Sequence, residues 1–411
     1  MLPKRKSLIQ PTEADLGRKM EIIPGPDPEL ELSVKRIPVV EGLGRIIPVC
    51  EPFLSGNESK YVMQCIQGNW ISSAGRFILE FEREFAHLCG VRYAAATTSG
   101  TTALHLALVT MNIGPGDEVI LPTFTMIATA NTVRYTGATP VLVDSELKTW
   151  NMDTEQIEKA ITPKTKAIMV VHTYGHPCDM DPILQLAERH ELFVLEDAAE
   201  AHGAVYKGRK VGGIGDAACF SFYANKIVTT GEGGMIVTNN EDFHKKAVNL
   251  RDHAFSSERH FWHKFVGFNY RMTNMQAAIG LAQVERFGDL VNRRIQHAKL
   301  YSSLLNDVEG LTLPPITQDI KNVFWMYSLL VEDDFGISRD ELRARLAKRG
   351  IETRTFFIPI HLQPIYYNQF KDREFPVAEE LCRKGLYLPS AGGLTHEEIE
   401  FICKSIKTCR D

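Results

Sequence analysis

The sequence predicts an α/β protein. A large domain with a mostly parallel central sheet flanked by helices is followed by a smaller α+β C-terminal domain. Three observations predict this. Between Tyr93 and Asp197, short apolar runs alternate with segments of helical period, the signature of parallel strands joined by crossover helices. Polar residues gather where those runs end, at Thr123 and Thr125, Asp144, His172 and Tyr174, and Asp197; in open α/β sheets that edge binds ligands. The length of 411 residues suits one large and one smaller domain.

Taken in order, residues 1–46 are polar, charged and proline-bearing, and read as an extension that is partly disordered or packs across a partner subunit. The large cofactor-binding domain is expected over 47–285. A helical period runs over 55–69. A turn at 70–76 precedes a second helix, FILEFEREFAHLCG, with Phe77, Phe81 and Phe85 on one stripe and a stop at Gly90. AAATTSG is a strand tip leading into the helix TTALHLALVTM. EVILP (118–122), TPVLVD (139–144), AIMVVH (167–172) and FVLED (193–197) read as strands, with helices IATANTVRY, DTEQIEKAI and DPILQLAERH following the first three. Two further apolar runs, 218–223 and 234–237, bracket a glycine-rich turn. VTNNEDFHKKAVNLRDHA reads as a helix and its exit, followed by a long helix that starts within GFNYRMTNMQAAIGLAQVERF and runs, with breaks, to Leu305. The small domain is expected over 286–411, with strand-like FWMYSLLV and ETRTFF, a helix over 339–350 and a final helix HEEIEFICKSIKT. No internal repeat is evident.

Composition narrows the function classes. The net charge of −5 advertises no basic surface for nucleic acid or anionic membrane. The eight cysteines are scattered, with no CxxC pair and no His/Cys cluster, so no metal site is expected; those in apolar runs should pack as small hydrophobes. The basic opening MLPKRKSLIQ lacks a following apolar stretch, and no run is long enough to span a bilayer, so no signal peptide, no membrane segment and a cytoplasmic location are expected.

The stretch CFSFYANKIVTTGEGGMIVT carries the chemistry. Lys226 sits where two strand signals meet a glycine-rich turn, a position that holds a side chain fixed and within reach of a ligand. It is the candidate for a Schiff base with pyridoxal phosphate, which would make the protein an aminotransferase. Such an enzyme also needs a carboxylate against the pyridine nitrogen and a phosphate cradle of backbone N–H groups and hydroxyls. Asp197, ending a strand, is the candidate carboxylate. Opposite charges about 3 Å apart attract by roughly 5 kcal/mol at an effective dielectric of about 20. Glu200, one helical turn on, would face the same side of the ring and hold its phenolic oxygen. Ser99-Gly100-Thr101-Thr102 opens a helix, with the N–H groups of 101 and 102 available to a phosphate; a plain helix cap explains the same letters. Ser221 could add a hydroxyl.

EDAAEAHGA (196–204), FSFYANKIVTTGEGGMIVTNN (220–240) and GFNYRMTNMQAAIGLAQ (267–283) closely resemble the DegT/StrS family of nucleotide-sugar aminotransferases. WISSAGRFILEFE, SGTTALHLALVTMNIGPGDEVILP, HTYGHPCDMDPIL and FWMYS add to the resemblance, which covers roughly residues 47–411. It implies a fold-type I pyridoxal-phosphate aminotransferase, working as a homodimer with shared active sites. Lys226 would then bind the cofactor, with Asp197 on the pyridinium, Glu200 on the phenolic oxygen, and Gly100, Thr101 and Ser221 on the phosphate. Asn269 would reach the phosphate from the other subunit. Met126 stands where relatives often carry an aromatic residue beside the ring, with Phe124 two residues earlier. Trp70, Ser72, Ser73, Tyr174, His176 and His361 are candidate sugar contacts.

The implied reaction takes the amine from L-glutamate, leaving pyridoxamine phosphate, and delivers it to C4 of a nucleotide-linked 4-keto-6-deoxy sugar. GDP-4-keto-6-deoxymannose leads, with UDP- and dTDP-linked sugars as alternatives, and polysaccharide assembly as the destination. Lys226, released, would move the proton, its pKa falling from about 10.4 toward neutrality. Dehydrating relatives carry histidine in place of the lysine or an iron–sulfur site, and neither is present here. A non-catalytic pyridoxal-phosphate-binding regulator is the rival from another class; the set Lys226, Asp197 and Ser221 argues against it.

Overall fold

The structure, a computed structural model, describes residues 45–256, 258–259 and 261–410. Residues 1–44 of the expected extension lie outside the described residues. Two helices, α1 (Glu58–Gln67) and α2 (Arg76–Cys89), precede the sheet. Phe77, Phe81 and Phe85 of α2 are buried on one face, as their spacing predicts.

The central sheet has seven strands: β1 (Tyr93–Thr97), β2 (Glu118–Pro122), β3 (Thr139–Val143), β4 (Thr165–Val171), β5 (Phe193–Asp197), β8 (Ala217–Ser221) and β9 (Gly234–Thr238). Their order is β1-β9-β8-β5-β4-β2-β3. From β8 to β3 every neighbouring pair is parallel. The crossovers from β2 to β3, β3 to β4 and β4 to β5 run through α4 (Ala128–Tyr135), α5 (Thr154–Ala160) and α6 (Met180–His190), since strands running the same way cannot be joined by a tight turn. β9 is antiparallel to both β8 and β1, because the glycine-rich connection returns the chain directly alongside β8.

Register gathers the chemistry at one edge. Gly234 pairs with Thr97 on one side and Ser221 on the other. Asp197 pairs with Cys219 and with Val171. Helix α3 (Gly100–Thr110) springs from the end of β1, started by a capping box in which Ser99 and Thr102 satisfy each other's backbone N–H.

After α7 (Glu241–Arg251), the long helical stretch breaks at Glu285–Arg286 into α8 (Asn274–Val284) and α9 (Phe287–Leu305). A second, four-stranded antiparallel sheet follows, ordered β10-β12-β14-β13: β10 (Leu311–Thr312), β12 (Tyr327–Val331), β13 (Arg354–Thr355) and β14 (Gly385–Leu388). A third small sheet pairs β6 (Val205–Tyr206) with β7 (Arg209–Lys210) and with β11 (Ile320–Lys321). Helices α9, α10 (Arg339–Lys348) and α13 (His396–Lys407) enclose a separate apolar core with the second sheet. Ile47 is fully buried in that core and forms a parallel bridge to Ile351. Helices α11 (Pro364–Phe370) and α12 (Pro376–Lys384) instead pack Phe370 and Ala378 into the main core.

The run FWMYSLLV is a strand only from Tyr327. Phe324 sits at φ 48°, and Trp325 N donates to Tyr174 O, so the start of the run is spent on contact with the large sheet. ETRTFF pairs only at Arg354–Thr355, after which Phe356 enters the main core. No helix among the described residues is long and apolar enough to cross a membrane. The eight cysteines are free thiols, and all but Cys50 are buried.

Candidate active site

At the C-terminal edge of the central sheet lies a cavity of about 340 Å³. Gly100 and Thr101 from the start of α3, Asp197 at the end of β5 with Glu200 beyond it, and Ser221 at the end of β8 with Lys226 beyond it all line it. The sheet order explains the convergence: β8 and β5 are neighbours, and β1 reaches β8 through β9.

Lys226 follows Ser221 on a turn in which its N–H bonds Tyr223 O at 2.9 Å. Its Nζ is 3.7 Å from Glu200 Oε1, both side chains being about nine-tenths buried. The same Nζ lies 3.7 Å from the centroid of the Trp325 ring. Burial lowers the Lys226 pKa, and the carboxylates of Glu200 and Asp197 oppose that fall.

Asp197 Oδ2 accepts from Thr129 Oγ1 at 2.9 Å, and Oδ1 accepts from Ala199 N at 3.2 Å. Burial raises its pKa against these donors. Glu200 Oε2 accepts from Tyr174 N at 2.8 Å, and burial pushes its carboxyl up to about 7. The two acids are not one helical turn apart. The chain after β5 is a turn, with Ala201 N bonding Ala198 O, and both acids reach the cavity from it. Behind them Glu196, fully buried, accepts N–H bonds from Gly212, Ile214 and Gly215 and lies 3.1 Å from His172 Nε2. These anchors keep its pKa low despite burial.

The helix opening divides its letters between two uses. The N–H of Thr102 is taken by Ser99 Oγ, so it is a cap bond and not a ligand donor. Gly100 is where the backbone must come close: a Cβ there would stand 2.8 Å from Ser221 Cβ. A helix N-terminus held this near a strand-end hydroxyl makes a cradle suited to phosphate. A buried carboxylate of raised pKa that faces the same cavity suits a cationic ring nitrogen. The donor set therefore fits pyridoxal phosphate.

The remaining expectations divide. Met126 lines the cavity and is half exposed, whereas Phe124 is buried against Tyr174, Phe356 and Phe357. Tyr174, His176 and His361 are buried and do not line the cavity. Tyr174 Oη accepts from Phe357 N. His176 Nε2 is 3.0 Å from Thr317 Oγ1, and burial lowers its pKa to about 4. His361 Nδ1 is 2.7 Å from Thr123 Oγ1 and its Nε2 is 3.1 Å from Glu379 Oε1. In this chain these three side chains face neighbouring protein groups and not the cavity. Trp70 lines a separate hollow with Arg76 and Leu79, and Ser73 another with Arg251 and Arg271. Ser72 gives its carbonyl to Asn274 N. Asn269 is exposed, outside its own chain's cavity, and its Oδ1 accepts from Arg271 Nε at 3.1 Å.

Sequence reasoning passed over Thr129, Tyr223, Trp325, Phe357 and Tyr387, all of which line the cavity. Trp325 stood inside the FWMYS signature without a role. Thr129 lies one helical turn from Thr125, and nothing in that spacing marks it as a partner of Asp197. No group of three or more metal-binding side chains occurs among the described residues.

Residues 53–407 match the DegT/DnrJ/EryC1/StrS aminotransferase family. The chain is 50% identical over 361 residues to a protein named GDP-perosamine synthase of Caulobacter vibrioides, covering 88% of this chain and 97% of that one. It is 46% identical to a protein of the same name from Escherichia coli, covering 88% and 98%. Among solved structures it resembles a putative sugar aminotransferase from Streptococcus pneumoniae in its PLP form. That likeness has a TM-score of 0.83 and 29% identity over 89% of this chain and 98% of the other.

Proposed function

The chain belongs to the DegT/DnrJ/EryC1/StrS aminotransferase family, and from that premise we propose that it transfers an amino group from L-glutamate to C4 of a nucleotide-linked 4-keto-6-deoxy sugar. The acceptor in this reading is GDP-4-keto-6-deoxymannose, and the product is GDP-perosamine, a precursor for polysaccharide assembly. The observation that carries it is the near-full-length likeness, at 50% and 46% identity, to two proteins named GDP-perosamine synthase.

Pyridoxal phosphate, when bound, carries the amino group and takes up the electron pair of the carbon that bears it. Gly100, Thr101 and Ser221 would hold its phosphate, Asp197 its ring nitrogen and Glu200 its phenolic oxygen. Thr129 orients Asp197 through the 2.9 Å bond described above. Lys226 would bind the cofactor through its amine and, once free, move the proton at sugar C4. Its lowered pKa favours the neutral, proton-accepting amine. Met126 would lie against the ring, and Phe357 and Tyr387 would exclude water from the acceptor side.

Two copies would share their sites, with Asn269 of each reaching the other's phosphate cradle. Its exposure supports this, as do the apolar side chains of Trp262, Phe265 and Val266, which are at least half exposed. Trp70, Ser72 and Ser73 would serve the partner's sugar site.

The test supplies glutamate with GDP-, UDP- and dTDP-linked 4-keto-6-deoxy sugars and reads product mass. An amino sugar is expected with the GDP acceptor and none with a Lys226→Ala variant that keeps its fold. Product from only the UDP or dTDP sugar would overturn the acceptor. Full activity in Lys226→Ala would overturn the chemistry.

A further inference from the structure

The approach of the Lys226 ammonium to the Trp325 ring, at 3.7 Å, is far closer than the other cation–ring pairs among the described residues, which lie at 4.7 Å or more. Trp325 is itself held on several sides. Its Nε1 donates to the carbonyl of Asn225, the residue before the lysine, at 2.9 Å. Its backbone N donates to Tyr174 O at 3.1 Å. Tyr174 in turn donates its N–H to Glu200, and Glu200 faces Lys226. The circuit Lys226–Trp325–Tyr174–Glu200 is therefore closed, and it joins the segment entering β12 to the end of β5.

The backbone is shaped for this approach. Gly175 sits at φ +96°, and a Cβ on it would lie 3.0 Å from Trp325 N and 2.8 Å from Val323 Cγ2. Only glycine lets the 323–325 segment lie against 174–175.

We propose that Trp325 is a positioning residue: its indole face is the seat of the Lys226 ammonium whenever that amine is free, and its N–H fixes the backbone beside it. The inference rests on reading Lys226 as the reacting amine. A buried ammonium has lost most of its water, and an aromatic face replaces part of that solvation without offering a proton acceptor. Glu200 and Asp197 face the amine from the turn after β5, Cys50 from the segment before α1, and His202 from the layer behind β8. Glu200, with a carboxyl near neutrality, is an inconstant counter-charge, whereas the indole face does not titrate.

The test uses the full-length protein stripped of cofactor. Trp325→Phe and Trp325→Leu both lose the indole N–H, but only Phe keeps a face. The pH midpoint for acylation of Lys226 is read by mass mapping, and thermal melts establish that each variant folds. The Leu midpoint is expected about one unit below the Phe midpoint, a roughly tenfold larger fraction of free amine at a given pH. Equal midpoints, or a higher one for Leu, would overturn the proposal. If neither variant folds, the indole emission of the wild type is titrated beside that of Lys226→Met. A transition present only in the wild type supports the seat, and identical curves overturn it. Because neither readout depends on turnover, midpoints that differ in an enzyme with no amino-transfer activity would leave the seat standing and sink the functional reading alone.

Discussion

At the scale of single residues, the site is a problem of buried charge. One amine and two carboxyls are buried around one cavity, and the protein moderates the cost with specific donors: Thr129 and Ala199 on Asp197, Tyr174 on Glu200. Glu200 has the clearest consequence for stability. Its carboxyl is raised from its ordinary value to about 7, chiefly by burial, so folding favours the protonated form. That contribution is complete below the unfolded value and is lost as pH rises through about 7. In cofactor-free protein, the melting temperature should fall by a few degrees more between about pH 5 and about pH 8 in the wild type than in Glu200→Gln. Parallel pH curves for the two proteins would contradict this.

At the scale of elements, the meeting of α3 with β8 decides how the phosphate cradle forms. Gly100→Ala places a methyl group into Ser221, whose Cβ would be 2.8 Å away. Overpacking of this kind costs about 1–3 kcal/mol. The helix start should retreat from the strand, weakening pyridoxal phosphate affinity about tenfold with a smaller effect on melting temperature; a fluorescence titration with the cofactor reads it. The strands were legible because buried parallel strands are short unbroken apolar runs, and FVLED is a strand over the residues its letters suggest. The turn at 198–200 was misread as helix because the spacing of Asp197 and Glu200 fits both. The inward role of Tyr174, His176 and His361 was illegible for a related reason: a polar letter at a strand end reads the same whether it meets a ligand or a neighbouring backbone.

At the scale of the whole molecule, the cavity is lined by one chain, while several large apolar side chains outside it face outward. Leu79 is 70% exposed, Phe265 68% and Val266 87%. Phe265 and Val266, adjacent in the chain, are the pair best suited to the proposed contact between copies. Val266→Glu combined with Phe265→Glu should convert the proposed dimer to a monomer in light scattering and cut turnover by at least tenfold, since desolvating charge at such a contact costs several kcal/mol. An unchanged mass would remove the dimer from the functional reading. The second sheet also contributes more than the sequence advertised. Tyr387 of β14 and Trp325, just ahead of β12, both line the cavity, and that long-range approach leaves no local pattern in the letters.

The bridge from Ile47 to Ile351 has a consequence for how the polypeptide is made. An apolar side chain near the front of the described residues finds its interior seat, among those residues, with side chains that leave the ribosome up to about three hundred positions later. Until then it is uncovered, and the second core cannot close from either end alone. The segment around Ile351 is thus what fastens the segment around Ile47, so a nascent chain halted before residue 351 should be a client for holding chaperones rather than a half-finished enzyme.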